Sequence, residues 1–135
     1  MTDFLQAHPD GVILAEDEMS LYFQATTTQV WAPRGQTPVI RVSPQRDNVH
    51  FYGVLNLRTG HELVLALPEQ TAATTAHFVQ YVLECLPDRP ILLLWDRAPW
   101  HRGAALDHVL DAEVRVEVVR FPPACPDLNP QEHVW

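Results

Sequence analysis

Ile91-Leu92-Leu93-Leu94-Trp95-Asp96 is the stretch whose reading decides the fold. An apolar run without a polar break, closed by an acid, suits a strand covered on both faces. Val12-Ile13-Leu14-Ala15 repeats the pattern and leads into Glu16-Asp17-Glu18. If the two runs are parallel neighbours, about 4.8 Å apart, Asp17 and Asp96 reach the same edge of one sheet. In open α/β sheets the crevice beyond the carboxyl ends of the strands is the usual ligand site. Two carboxylates there repel each other unless a cation sits between them. An oxygen-only ligand set favours Mg²⁺ or Mn²⁺ over Zn²⁺. The simpler reading of either Asp is that acids favour turns and so commonly end strands.

Outward from these runs, Leu21-Tyr22-Phe23 continues the strand signal after a turn near Met19-Ser20. Residues 26–38 read as irregular, punctuated by Pro33, Gly35 and Pro38, and residues 39–43 as a short edge strand. Residues 49–57 and 62–67 read as the strands of a hairpin, with Gly60 supplying a positive φ in the turn between them. Thr71 to Leu86 gives the clearest helix: Phe78, Tyr81, Val82 and Cys85 make one apolar face, and Pro87 and Pro90 close it. A short helix is expected over 102–111 and a strand over 114–121, ended by Pro122-Pro123. An antiparallel meander followed by crossover units predicts an α/β fold with a mixed sheet and helices on its faces. Residues 1–135 read as a single domain without repeats.

Bulk properties narrow the class. The chain has 135 residues, the size of one domain, and is 47% hydrophobic, so a normal core is available. No apolar run approaches the length of about 20 residues that spans a bilayer. Residues 1–11 lack the basic start and apolar region of a signal peptide, so a cytoplasmic location and no membrane partner are expected. Cys85 and Cys125 fit no metal spacing and are expected as free thiols. The net charge of −8 is unusual for a nucleic-acid binder, and all nine basic residues are Arg.

The last stretch, Pro126-Asp127-Leu128-Asn129-Pro130-Gln131-Glu132-His133-Val134-Trp135, carries a third acid. Asn129 is a good N-cap, Pro130 fits the first helical position, and Glu132 falls at the capping-box position. Local physics leaves two roles for Glu132, capping and metal binding. A carboxylate turned toward the backbone is turned away from a metal.

Asp17-Glu18, Leu93 to His101 and Phe121 to Trp135 together resemble the catalytic domain of DDE transposases, specifically the bacterial insertion-sequence branch of the mariner-type superfamily. The similarity runs from about residue 10 to the end, and Trp31 to Pro38 also resembles a family segment. Between Asp96 and Glu132 lie 35 residues, which suits the family. The resemblance implies a ribonuclease H-like fold with a five-stranded mixed sheet, the first three strands antiparallel and the fourth and fifth parallel. It implies that Asp17, Asp96 and Glu132 are catalytic and bind two metal ions, Mg²⁺ or Mn²⁺. It also implies DNA cleavage and strand transfer at transposon ends, with DNA as partner and a homodimer as an assembly.

Arg97 stands where the family usually has Asn; it either contacts a phosphate or pairs with the acids. Cys125 replaces a usual Ser. Glu16 is expected to face solvent, pointing away from Asp17 by strand alternation. His101 either orients substrate or scaffolds its loop. Arg34 and Trp31 either contact DNA or belong to a packed loop. The family's N-terminal helix-turn-helix domain is expected to be absent, and the chain is expected to be truncated in the helix that carries Glu132. The rival expectation is an inactive remnant or interaction module that retains the fold.

Overall fold

The computed structural model describes residues 1–23, 31–39, 47–123 and 125–135. The elements run helix α1 (Thr2–Ala7), strands β1 (Val12–Phe23), β2 (Asp47–Asn56) and β3 (Glu62–Leu67), helix α2 (Ala72–Cys85), strand β4 (Ile91–Trp95), helix α3 (Ala104–Ala112) and strand β5 (Val116–Arg120). Two 3-10 turns follow, Pro126–Leu128 and Pro130–His133. The strands form one sheet in the order β3-β2-β1-β4-β5. β1, β2 and β3 pair antiparallel, while β4 lies parallel to both β1 and β5. The mixed five-stranded sheet expected from the sequence is thus present.

The unbroken apolar runs lie where both faces are covered. Val12 and Leu14 of β1, with Ile91, Leu93 and Trp95 of β4, join Phe78, Val79 and Val82 of α2 and Leu106 and Val109 of α3 in the main core. Ile13, Leu92 and Leu94 alternate to the opposite face and pack against Phe4 of α1. Each large apolar side chain buried this way contributes roughly 1.5–3 kcal/mol before entropy is counted. In α2 the buried face includes Phe78 and Val82 as expected but is rotated toward Val79 and Leu83, leaving Cys85 exposed. Thr71 and Thr74 form a reciprocal capping box. The Tyr52 hydroxyl meets the Thr74 and Thr75 hydroxyls at 3.1 and 3.3 Å, tying the helix start to β2.

The hairpin turn forms as read. Asn56 Oδ1 accepts from the Arg58 and Thr59 backbone N–H groups, and Gly60 adopts a φ of 73°. Three features differ from expectation. β1 does not turn at Met19-Ser20, because β2 is long enough to pair it from Leu14↔Asn56 to Phe23↔Asp47. Ser20 Oγ and His50 Nδ1, 2.7 Å apart, bridge the two strands at that point. Helix α1 was not legible: six residues carry little intrinsic helix stability, and burial of Phe4 holds it. Of the expected edge strand over 39–43, Val39 carries no strand and residues 40–43 lie outside the described residues. Residues 31–38 are irregular as expected, and 26–30 lie outside the described residues. No described helix is long and apolar enough to cross a membrane.

Candidate active site

Strand register positions the first two acids. Ala15 of β1 pairs with Leu94 of β4, the last pair of that parallel ladder; Asp96 follows the end of β4, whereas Asp17 does not end its strand but lies within β1, paired with Gly53 of β2. Glu132 arrives by a different route. The turn Pro130–His133 lies against β1 and β2, docked by side chains on either side of Glu132. Asn129, buried, donates Nδ2 to the Glu16 carbonyl at 2.8 Å, while its Oδ1 caps the Gln131 N–H at 3.1 Å. Gln131, also buried, donates Nε2 to the Glu62 carboxylate. Trp135 Nε1 donates to Asp17 Oδ2 at 3.0 Å. Gly53 on β2 makes the approach possible: a Cβ there would lie 2.7 Å from both Gln131 Nε2 and the Trp135 ring.

Asn129 and Pro130 therefore act as the N-cap and first residue expected, but the element is a 3-10 turn rather than an α-helix. The Glu132 N–H donates to the Asn129 carbonyl at 3.2 Å, but its carboxylate accepts no backbone N–H among the described contacts, so the side chain does not cap the turn. Instead it lines, with Asp96, Arg97 and Asn129, a cavity of about 310 Å³. Burial pushes the Asp17 carboxyl up to about 6; the Trp135 N–H opposes this, and the Glu18 and Glu132 carboxylates add to it. Asp96 moves the other way. Its hydrogen bond from His101 holds it below the ordinary value, helped by the Ala98 N–H at 2.7 Å.

Glu16 corrects an expectation. It is 1% exposed rather than solvent-facing. Alternation does turn it away from Asp17, but the face it reaches lies in line with Leu14, beneath α2 and α3. There it meets His101, which is buried and stacked on Trp95 with ring centroids 4.6 Å apart. His101 Nδ1 lies 2.8 Å from Asp96 Oδ1, and Nε2 lies 2.7 Å from Glu18 Oε1 and 3.2 Å from Glu16 Oε2. Trp100 Nε1 gives Glu18 Oε1 a second hydrogen bond at 2.7 Å. Burial alone would lower the His101 pKa, but its bonds to Asp96, Glu16 and Glu18 prevail and push it up to about 12. Burial, with Glu18 close by, pushes Glu16 up to about 8. Both shifts run in the same direction, each favouring the protonated form of its group. Glu16 Oε1 has no hydrogen-bond partner, and Oε2 has only the His101 contact at 3.2 Å. Of the two roles open to His101, the scaffold is the one its burial permits.

Among the described residues, the group of three possible metal ligands with donor atoms within 4.8 Å of one another is Glu16, Glu18 and His101. Of the three acids named from sequence, Asp96 and Glu132 line the cavity, while Asp17 is not part of its lining but lies close enough to Glu132 for that carboxylate to raise it. Arg97 forms no ion pair with the acids; its Nε donates to the Phe121 carbonyl at 2.9 Å. Trp31 is fully exposed. Arg34 is also exposed and sits in a turn closed by Gln36 N–H to the Pro33 carbonyl at 3.0 Å. Among the described residues, no contact joins either to the site. Asn129, Gln131, Trp135, Glu18 and Trp100 support the acids; from sequence Asn129 was read only as a cap and Glu18 only as half of the Asp17-Glu18 pair, and the other three were given no role. The capping signature marked Asn129, and alternation from Leu14 marks Glu16 and Glu18, but nothing local marks Gln131 or Trp135. Cys85 and Cys125 are free thiols.

Residues 12–135 match the family described as DDE superfamily endonuclease. No curated protein matches the chain. Among solved structures, the simian T-cell lymphotropic virus intasome in complex with PP2A regulatory subunit B56 gamma is similar with a TM-score of 0.67 at 10% identity, covering 93% of this chain and 36% of that one. The Mos1 mariner paired end complex with Mn is similar with a TM-score of 0.59 at 20% identity, covering 90% and 39%. The catalytic domain of Mos1 mariner transposase is similar with a TM-score of 0.54 at 19% identity, covering 90% and 54%. The chain thus spans between 36% and 54% of the length of these relatives. At such identities what is shared is the fold, the ribonuclease H-like arrangement of mixed sheet and flanking helices.

Proposed function

Because the chain belongs to the DDE superfamily endonucleases, we propose that it is a transposase catalytic core that cleaves and joins DNA phosphodiesters at transposon ends with divalent metal ions. The observation that supports this reading is that Asp96 and Glu132, from separate segments, line one cavity, and that Glu132 lies close enough to Asp17 to raise its carboxyl. The donor set is all oxygen, which suits Mg²⁺ or Mn²⁺. Asp17 has its carboxyl raised by burial and by neighbouring negative charge, the condition a cation relieves. The described contacts of Asp96 fall on Oδ1, leaving Oδ2 for a ligand.

Two divalent ions held by these three carboxylates would supply an activated nucleophile and stabilisation of the leaving oxygen in an in-line displacement. The chain's other residues act on the acids. His101 and the Ala98 N–H fix the Asp96 carboxylate, Trp135 fixes Asp17, and Asn129 and Gln131 seat the turn that carries Glu132. Support for the metal comes from the Mos1 mariner complex with Mn. Support for DNA as partner, and for a second copy of the chain, comes from the Mos1 paired end complexes. The closing Pro-Asp-Leu-Asn-Pro motif favours an insertion-sequence origin, with action in the cytoplasm.

Thermal melting with and without Mn²⁺ tests the reading, since a ligand of the native state must raise the melting point. Mn²⁺ is expected to stabilise the wild type and to lose that effect in Asp96→Ala. Paired with it, a nicking assay with Mn²⁺ on DNA carrying element ends should show weak metal-dependent cleavage by the wild type and none by the variant. Identical melting of the wild type with and without saturating Mn²⁺ would instead establish the non-catalytic remnant.

A further inference from the structure

A second cavity, of about 200 Å³, adjoins the acidic one and is lined by Arg97, Ala98, His101, Arg102 and Arg120. Three of the nine basic residues of a chain with net charge −8 converge here. Among the described residues, none of the three lies within ion-pair distance of a carboxylate; the one arginine so paired is Arg115, with Glu113. Other arginines are committed to backbone carbonyls. Arg58 bonds Pro9 and Gly11, and Arg115 bonds Leu83, Leu86 and Arg89. The cavity arginines are not so committed. Arg97 uses only Nε, on the Phe121 carbonyl. Arg120 makes one long bond of 3.4 Å to the His101 carbonyl and lies over the Trp95 ring at 5.9 Å. Arg102 is exposed and makes no hydrogen bond among those described. Like charges gathered without a counter-charge repel, and an anion relieves them.

Arg97 and Ala98 line both cavities. An acidic cavity, which meets a phosphate only through metal ions, therefore shares a wall with a basic cavity that meets one directly. A nucleic-acid strand presents one negative phosphate per nucleotide in regular succession, and the planar guanidinium fork matches phosphate oxygens. We propose that Arg97, Arg102 and Arg120 bind the DNA backbone phosphate next to the one presented to Asp17, Asp96 and Glu132. The inference rests on the DNA-cleaving reading and deepens it: this contact sets which phosphodiester along the strand faces the acids.

The test is fluorescence anisotropy with a labelled DNA duplex over a range of salt concentrations, in Ca²⁺ and again in EDTA. The proteins are the wild type, Arg102→Gln, the double variant Arg102→Gln/Arg120→Gln, and Arg89→Gln as a charge-matched control outside both cavities. The double variant is expected to bind about ten-fold more weakly, with a salt slope smaller by about 1, and Arg89→Gln to bind like the wild type. Arg102→Gln alone should weaken binding in the same direction, which keeps the test decisive if the loss of Arg120 from Trp95 disturbs folding. Wild-type binding by Arg102→Gln and by a folded double variant at every salt concentration overturns the proposal. So does equal weakening by Arg89→Gln, which would show a diffuse charge effect. Loss of the Ca²⁺ dependence alone removes the metal reading and leaves the arginine contact standing, because that contact persists in EDTA.

Discussion

A single imidazole, His101, separates Glu16 and Glu18 from Asp96, and all its charge partners lie within 3.2 Å. Removing one member of a buried charge cluster leaves the others uncompensated, at a cost of roughly 3–5 kcal/mol. His101→Ala should therefore destabilise the fold by that amount in urea denaturation, whereas Glu16→Gln, which keeps the side chain's size and removes a carboxyl whose charged form burial disfavours, should cost much less. The pH dependence follows from two upward shifts. Glu16 and His101 both hold a proton when folded that the unfolded chain has released. The Glu16 contribution is complete below its ordinary 4.5 and lost as pH rises through about 8. That of His101 is complete below 6.5 and lost as pH rises toward about 12. The urea midpoint of the metal-free chain is expected to fall steadily from about pH 6 to about pH 8, and a midpoint that rises across that window would contradict the cluster. Strand alternation told from sequence that Glu16 points away from Asp17. It could not tell that α2 and α3 cover that side, because the cover comes from residues more than fifty positions downstream.

At the scale of elements, the Pro130–His133 turn depends on tertiary contacts rather than on its own helix stability. Asn129, Gln131 and Trp135 hold it against β1 and β2, and Gly53 leaves the space they fill. Gly53→Ala should push the turn off the sheet while the sheet itself survives. The expected result is faster amide exchange over residues 129–135 and a loss of Mn²⁺ stabilisation, with little change in exchange over β4. Unaltered exchange at the Gln131 amide would show that the turn is held by something else. The sequence did announce Asn129 as a cap and Pro130 as the first residue of a turn. It did not announce the docking, because Gln131 and Trp135 find their partners at Glu62 and Asp17, and such long-range pairings leave no local pattern. The clearest elements in the sequence, the two unbroken apolar strands and α2, are those whose burial is set by their own periodicity.

At the scale of the whole molecule, a net charge of −8 gathers part of its repulsion at one edge of the sheet. A cation bound only by the native state stabilises by about 2.7 kcal/mol at a hundred times its Kd. Titration with Mn²⁺ should raise the melting point along that curve, while an equal ionic strength of monovalent salt gives a much smaller rise because it only screens. An equal rise from both would mean that no specific site exists. The strand order was not read from the sequence, but the adjacency of the two apolar runs that each lead into an acid was posed there as a condition, and parallel adjacency is the arrangement found. The contact between Trp135 and Asp17 has a further use. Indole emission shifts with the polarity around the ring, and this ring lies close to Gly53 with its N–H on the Asp17 carboxylate. Trp31, fully exposed, contributes an unchanging background that Trp31→Phe removes. Three tryptophans remain, Trp95, Trp100 and Trp135, and the share of their emission that Trp135→Phe abolishes is a built-in optical gauge, unlabelled and read in real time, of whether the last turn is seated when a cation reaches the carboxylate beside it.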